Sequence, residues 1–423
     1  MKRLIPMLLA ALPLLLLLQA APAVALEGVV VDAATGRPVA DASVVAGTQE
    51  RRSDAQGRFD FGAGLVDATQ LLVRAPGHAR RSLALTGPGP LRIELPAQQA
   101  KALYLSVYGI GDAGLRGAAL RLIEQTELNA LVIDVKGDRG LVPYRSAALA
   151  ASGLAQTVLT VRDMPALLAE LRARGLYLIA RIVVFKDEPL AMARPDWAVR
   201  DAKGAVWRDR EGLAWIDPLR REAWAHSLAL AEEAARLGFD EVQFDYLRFP
   251  DAAGLVFAEA PTEERRIAAI NGFLDAARAR LRPYNVFIAA DIFGYVAWNS
   301  DDTQIGQQLE AIARHADYLS PMLYPSGFSF GIPGYRDPVA APYEIVHRSL
   351  QRALQRTGLG GQRLRPWLQA FRDYAFDRRI FGEREIRAQI EAAEALGTAG
   401  WMLWNAQNRY EGGGLAEEAP APR

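Results

Sequence analysis

Three aspartates lie at the ends of apolar segments, where their carboxyl groups are well placed for acid–base chemistry. Asp134 lies in LVIDVKGDRG, Asp245 in DEVQFDYLRFP and Asp291 in IAADIFGY. A charge inside an apolar segment is costly unless it is paired or used. Two carboxyl groups that flank a glycosidic bond can hydrolyse it, because one protonates the leaving oxygen and the other attacks or activates water.

Each aspartate also has a structural interpretation that the sequence leaves open. Asp245 could pair with Arg248, which follows it in the same motif. Asp134 could pair with Lys136, because strand residues two apart share one face. Asp291 could hold a neighbouring loop by hydrogen bonds.

We expect Asp245 and Asp291 to form the catalytic pair, with Asp134 nearby as a third carboxylate. Asp291 is the expected acid because its neighbours in IAADIFG are apolar, and an apolar setting keeps a carboxyl group protonated. Asp245 is then the nucleophile or base, kept ionised by Arg248 or Arg181. The sequence also allows the two roles to be exchanged.

Eight apolar runs of strand length alternate with amphipathic helical segments after residue 95. The predicted strands are Ala102–Tyr108, Ala130–Val135, Leu176–Phe185, Glu241–Tyr246, Val286–Ile292, Tyr318–Leu323, Arg365–Ala370 and Gly400–Trp404. This pattern predicts an α/β fold, a (β/α)8 TIM barrel spanning residues 100–412. A doubly wound open sheet is the alternative, but it usually has fewer strands.

Polar and aromatic residues near the strand ends of such a barrel meet at one mouth. The residues that we expect to bind substrate there are Tyr108, Lys136, Arg181, Arg248, Trp298, Tyr324, Gln369, Trp404 and Asn405. The two tryptophans offer flat faces that suit the apolar faces of sugar rings.

The first 25 residues have the features of a signal peptide. Lys2 and Arg3 precede the apolar run Leu4–Leu18, and residues 23–25 form an A-x-A cleavage site. An uncleaved membrane anchor is the alternative, but the run is short for a membrane span. We therefore expect a periplasmic or secreted protein that begins at Leu26 and keeps no stable membrane span.

Residues 27–96 contain short strands separated by turns, a pattern that predicts a small antiparallel β-sandwich. The segments GVVVDAATGRPVADASV, SDAQGRFDF and VRAPGH resemble the carboxypeptidase-regulatory-like, transthyretin-like family. The resemblance implies an accessory module without catalytic residues. We expect the barrel to fold without it, because each part can bury its own core.

The composition excludes several other classes of protein. Lys+Arg and Asp+Glu are both 49, so no basic excess supports nucleic-acid binding. The 4 histidines form no metal-binding motif, and cysteine is absent. We expect no cofactor and no metal, a monomer, and a disordered tail at residues 413–423.

The second part of the chain resembles a bacterial family of glycoside hydrolase domains. The matching segments include YLSVYGIGD, LVIDVKGDRG, GFDEVQFDYLRFP, ADYLSPMLYPSGF and GWMLWNAQNRY, and they run in order through residues 103–410. The resemblance implies an acidic catalytic group at the end of the fourth strand, which is Asp245. It implies a polysaccharide, oligosaccharide or cell-envelope glycan as substrate. A barrel that binds glycan in the envelope without cleaving it is the alternative.

Overall fold

The computed structural model describes residues 26–62, 68–86 and 89–417. The predicted signal peptide and residues 418–423 of the predicted tail lie outside the described residues. Within the described ranges, no helix combines the length and the apolar character that crossing a membrane requires.

The N-terminal part is a small β-sandwich, as the turn spacing predicted. Its strands are β1 Glu27–Asp32, β2 Ser43–Ala46, β3 Gln49–Arg52, β4 Arg58–Asp60, β5 Gln70–Arg74, β6 Arg81–Ala84 and β7 Leu91–Leu95. One sheet has the order β4-β1-β7 and the other β3-β2-β5-β6. All pairs are antiparallel except β1 with β7. Val30 and Val73, one from each sheet, lie in a shared core.

The second part is a closed parallel barrel of eight strands, which confirms the predicted fold. The strands are β8 Ala100–Leu105, β9 Ala130–Lys136, β10 Tyr177–Val183, β11 Glu241–Asp245, β12 Phe287–Phe293, β13 Tyr318–Met322, β14 Trp367–Gln369 and β15 Gly400–Trp404. Each strand pairs with the next in sequence, and β15 closes on β8. All eight predicted strands are present, with small differences at their ends.

Helices surround the barrel. They are α1 Val107–Gly111, α2 Ala113–Gln125, α3 Ala147–Ala151, α4 Met164–Ala173, α5 Glu188–Ala193, α6 Trp224–Leu237, α7 Glu263–Leu281, α8 Leu309–Ile312, α9 Pro342–Thr357 and α10 Glu383–Glu394. The segment between β12 and β13 contains only the short helix α8. The Asp302 carboxylate accepts the backbone N–H groups of Gln304 and Gly306, which holds the chain in a loop before the helix.

The barrel strands are apolar on both faces, as expected for a parallel sheet covered on both sides. In β9, Leu131 and Ile133 belong to the core beneath the helices, whereas Ala130 and Val132 belong to the core inside the barrel. The same alternation directs Asp134 into the barrel near its C-terminal end.

Residues 413–417, which we expected in a disordered tail, are bound to the barrel. Arg387 Nε donates to the Gly414 carbonyl at 2.7 Å, and Ala416 N donates to Glu127 Oε1 at 2.9 Å. This part of the chain therefore covers α10 and the end of α2.

The N-terminal module contacts the N-terminal end of the barrel, which we call the base. Arg74 Nε donates to Asp317 Oδ2 at 3.3 Å, and Gly77 N donates to the Tyr318 hydroxyl at 3.0 Å. Arg80 Nη2 donates to Asp240 Oδ1 at 2.7 Å. The opposite end, the mouth, is left open.

Candidate active site

Arg181 on β10 is the centre of a charged cluster at the mouth. Its Nη1 donates to Asp134 Oδ1 at 2.7 Å, and its Nη2 donates to Asp138 Oδ1 at 2.7 Å. Its Nε and Nη2 donate to Asp245 Oδ2 at 2.9 and 2.6 Å. The side chain is only 1% exposed, so these charge-assisted hydrogen bonds act with little screening by water.

Asp245 ends β11, and the backbone turns sharply after it. The next residue, Tyr246, has a φ of 47°, an unusual conformation for a residue with a side chain. Its N–H donates to Asp245 Oδ1 at 2.6 Å, while Arg181 binds the other oxygen. Both oxygens of Asp245 thus accept hydrogen bonds from the protein.

Asp134 lies across Arg181 from Asp245. The Tyr104 hydroxyl donates to Asp134 Oδ2 at 2.7 Å. Burial raises the pKa of Asp134 to about 6; the nearby Asp138 also raises it, and Arg181 opposes the shift. The side chain therefore exchanges its proton close to neutral pH.

Asp291 on β12 is fully buried beside Asp245. Trp367 Nε1 donates to Asp291 Oδ1 at 2.9 Å, and Oδ2 has no hydrogen-bond partner among the described residues. Burial raises the pKa of Asp291 well above its usual range, and the charge of Asp245 raises it further. This shift favours the protonated form of the carboxyl group, but the residue is 0% exposed.

A cleft of about 250 Å³ opens at the mouth above this cluster. Its lining includes Tyr104, Ser106, Tyr108, Asp134, Asp138, Arg139, Glu211 and Trp404. Trp404 stacks on Tyr104 with ring centroids 4.1 Å apart, and the Arg181 guanidinium lies 4.9 Å from the Trp404 ring centroid. The lining of the cleft thus combines three carboxylates with an aromatic stack.

Four predicted substrate-binding residues lie at this mouth. Arg181, Tyr108 and Trp404 belong to the cluster and the cleft described above. Tyr324 follows β13, and its pKa is raised by burial and then by the charges of Asp245 and Asp291, which lie close to it.

Lys136 does not face the mouth. A register shift between β9 and β10 interrupts the strand alternation after Asp134, and Lys136 consequently lies on the outer side of the barrel. Its Nζ donates to Asp187 Oδ2 at 2.5 Å and to Ser227 Oγ at 3.0 Å. Because of this bulge, the pairing with Asp134 that the sequence left open does not form, and Lys136 lies away from the mouth where we expected it to bind substrate.

Arg248 is one of the two cations that we expected beside Asp245, but no carboxylate of the described residues lies within ion-pair distance of it. Its guanidinium lies 4.8 Å from the ring centroid of Trp215, 5.1 Å from that of Tyr246 and 4.6 Å from that of Phe293. Burial lowers the pKa of Arg248. In the part of the chain that the structure describes, the cation that contacts Asp245 is therefore Arg181.

Three other predicted binding residues form hydrogen bonds within the protein. Trp298 Nε1 donates to Ser349 Oγ on α9 at 2.9 Å, beneath the helices. Asn405 Nδ2 donates to two backbone carbonyls of neighbouring loops, at 2.8 and 2.7 Å. Gln369 donates to Ser326 Oγ at 2.7 Å, so its amide joins two loops.

Three residues of the cluster were absent from the sequence predictions: Tyr104, Asp138 and Trp367. Strand alternation could have indicated Tyr104, because it shares the inner face of β8 with Ala102. Asp138 follows the end of β9 and could have been considered with Asp134. Trp367 begins β14, and no local pattern distinguishes it from a tryptophan of the core.

The fold and the cluster define a (β/α)8 barrel with inward-facing carboxylates at the C-terminal ends of its strands. Residues 102–410 match the family described as "Putative glycosyl hydrolase domain". The protein belongs to this family. No curated protein matches the chain.

Two solved structures illustrate the likeness. A hypothetical protein from Ruminiclostridium thermocellum is 34% identical, with 45% of this chain and 96% of that chain covered and a TM-score of 0.40. The glycoside hydrolase domain of PgaB (BpsB) from Bordetella bronchiseptica is 15% identical, with 73% and 95% covered and a TM-score of 0.55. At that identity the second likeness shows the fold alone.

Proposed function

We propose that this protein hydrolyses glycosidic bonds of a polysaccharide or cell-envelope glycan at the barrel mouth. The observation that carries the proposal is the Arg181 guanidinium, which holds Asp134 and Asp245 on different nitrogen atoms, at 2.7 and 2.6 Å. This shared contact keeps the two carboxylate oxygens within about 8 Å of each other, a separation that can flank one glycosidic bond.

Asp134 is the proposed proton donor. It lines the cleft, and its pKa of about 6 allows it to hold a proton in slightly acidic solution. This assignment departs from the expectation for Asp291, which is protonated but buried beneath Asp245. We propose that Asp291 acts as a support, since a protonated neighbour adds no second negative charge beside Asp245.

Asp245 is the proposed nucleophile or base. As the bond between the anomeric carbon and the leaving oxygen breaks, the proton of Asp134 passes to that oxygen and positive charge develops on the sugar ring. Asp245 either attacks the anomeric carbon or takes a proton from the water that attacks it. Arg181 fixes the position of both carboxylates, so little reorganisation is needed during the reaction.

Asp245→Asn tests this proposal directly. The change is nearly isosteric but removes the charge, so we expect turnover on a panel of soluble glycans to fall by at least about 10³-fold. Asp251→Asn, an exposed aspartate in the following loop, is the matched control and should retain wild-type turnover. Release of reducing ends measures both, and the melting temperature should stay within a few degrees.

Wild-type turnover by Asp245→Asn would contradict the proposed mechanism. If the wild-type protein binds glycans in the panel but releases no reducing ends, the non-catalytic glycan-binding barrel is the correct alternative.

We also propose that the protein is exported after cleavage behind residue 25 and that residues 27–96 form an accessory module of the carboxypeptidase-regulatory-like type. The support for export is the n-region, apolar run and A-x-A site in the sequence. N-terminal sequencing of the exported protein should begin at Leu26, and an intact Met1 there would contradict the cleavage.

A further inference from the structure

The loop after β14 presents aromatic rings at the rim of the mouth. Loops that follow the strands of a (β/α)8 barrel surround its mouth. Tyr374 in this loop is 55% exposed and Phe376 is 36% exposed. Exposed aromatic rings that lie together on one loop often mark a binding surface.

These rings continue a series that starts beside the catalytic aspartates. Tyr324 packs against the core inside the barrel, which also contains Trp367, the residue that donates a hydrogen bond to Asp291. The Tyr324 and Phe371 ring centroids are 5.5 Å apart, and Phe371 stacks on Tyr374 at 6.2 Å with an interplanar angle of 11°. We call Tyr324, Phe371 and Tyr374 the aromatic shelf, because together they lead from the aspartates to the rim.

The loop that carries the shelf is held firmly by a buried carboxylate. Asp373 accepts a hydrogen bond from Ser326 Oγ at 2.7 Å. It also accepts the N–H groups of Ala375, Phe376 and Arg378, at 3.1, 2.9 and 2.9 Å. These bonds hold the pKa of Asp373 well below its usual range, with burial acting in the opposite sense.

Gln369 connects the same loop to the loop after β13. Its Nε2 donates to Ser326 Oγ and to the Phe371 carbonyl, at 2.7 and 3.1 Å, and its Oε1 accepts Ser326 N at 3.0 Å. The rings of the shelf are thus ordered before any ligand arrives. Preorganisation of this kind lowers the cost of binding.

We propose that the aromatic shelf binds successive sugar rings of a glycan chain that extends from the scissile bond to the rim. The occupant is a glycan because the shelf is continuous with the carboxylate site, and flat aromatic faces match the apolar faces of sugar rings. The inference rests on the proposed function, and it specifies the substrate as a chain of several sugars.

The test compares Tyr374→Ala with Phe330→Ala. Phe330 is 84% exposed in the neighbouring rim loop and contacts Tyr295, outside the shelf. Full-length variants are run in native gels that contain glycol chitin, hydroxyethyl cellulose, xylan or laminarin. We expect at least one polymer to retard the wild type, Tyr374→Ala to bind it about tenfold more weakly, and Phe330→Ala to be unchanged.

Tyr374→Phe keeps the stacked ring and should keep wild-type retardation, which separates ring contact from the folding of the loop. The shelf proposal is overturned if no polymer retards the wild type, or if Tyr374→Ala is retarded normally. The proposal is also overturned if Phe330→Ala loses retardation to the same extent. It is likewise overturned if sedimentation shows that Tyr374→Ala changes only the oligomeric state.

Binding and hydrolysis are separated by Asp245→Asn, which should be retarded like the wild type. Retardation that depends on Tyr374 without release of reducing ends would refute hydrolysis and leave the shelf intact. Hydrolysis with retardation that does not depend on Tyr374 would refute the shelf alone.

Discussion

The mouth and the base of the barrel both bury arginines among carboxylates, yet the pKa values of Asp134 at the mouth and Asp317 at the base are shifted in opposite directions. At the mouth, burial raises the pKa of Asp134 to about 6. At the base, Asp317 is equally buried, but the charges of Arg74, Arg278 and Arg52 hold its pKa well below the usual range.

The two pKa values differ because positive charge compensates the Asp317 carboxylate more completely than the Asp134 carboxylate. Asp317 accepts hydrogen bonds from Arg74 and from Ile288 N, and Arg278 approaches it at 3.4 Å. Asp134 has one cation, Arg181, which it shares with Asp138 and Asp245. The base thus uses its charges to join the N-terminal module to the barrel, whereas the mouth leaves carboxylates under-compensated and available for chemistry.

A second buried pair at the base completes the comparison. Arg365 Nη1 donates to Glu241 Oε2 at 2.5 Å, and the Tyr177 hydroxyl donates to the same oxygen at 2.9 Å. Arg365 and Arg181 are each about 1% exposed. They therefore form a matched pair of residues, one at each end of the barrel.

The largest expected effect comes from exchanging each of these arginines for lysine. A lysine keeps the charge but loses the planar fork that binds several carboxylate oxygens. Both variants should lose roughly 2–3 kcal/mol in the free energy of unfolding. Arg181→Lys should also lower kcat by about 100-fold, whereas Arg365→Lys should leave kcat within about twofold.

Urea denaturation and initial rates on a confirmed substrate measure the two quantities. Equal losses of kcat in both variants would show that the base also affects chemistry, and the proposed division between the two ends would be wrong.

A smaller effect is expected from pH. The folded-state pKa of Asp134, about 6, lies above its unfolded value of about 3.9, so its burial costs about 3 kcal/mol at neutral pH. This cost disappears as the pH falls from 7 to 4. The pKa of Asp317 is depressed, so its contribution to stability is present above about pH 4 and is lost only below it.

Asp134→Asn removes the titration of Asp134. The unfolding free energy of the variant minus that of the wild type should therefore decrease as the pH falls from 7 to 4. If Asp134 is the proton donor, wild-type kcat should also fall as the pH rises through about 6. A pH-independent difference in stability would show that Asp134 is not shifted, and an activity that persists above pH 7 would exclude it as donor.

The sequence by itself determined the barrel fold and indicated the three aspartates near the ends of its strands. Apolar runs of strand length predicted all eight strands, because both faces of a parallel barrel strand are buried. For the same reason, a polar residue within such a strand is easily recognised in the sequence. Asp134, Asp245 and Asp291 were such exceptions, and the structure directs all three into the mouth region.

Only the tertiary structure decided the partners of these side chains. Arg181 is separated by 64 residues from Asp245 and by 47 from Asp134, so no local pattern could show that one guanidinium binds both. The bulge that turns Lys136 outward is likewise a property of two paired strands. Periodicity is set by neighbours along the chain, whereas burial and charge compensation depend on residues that only the folded barrel brings together.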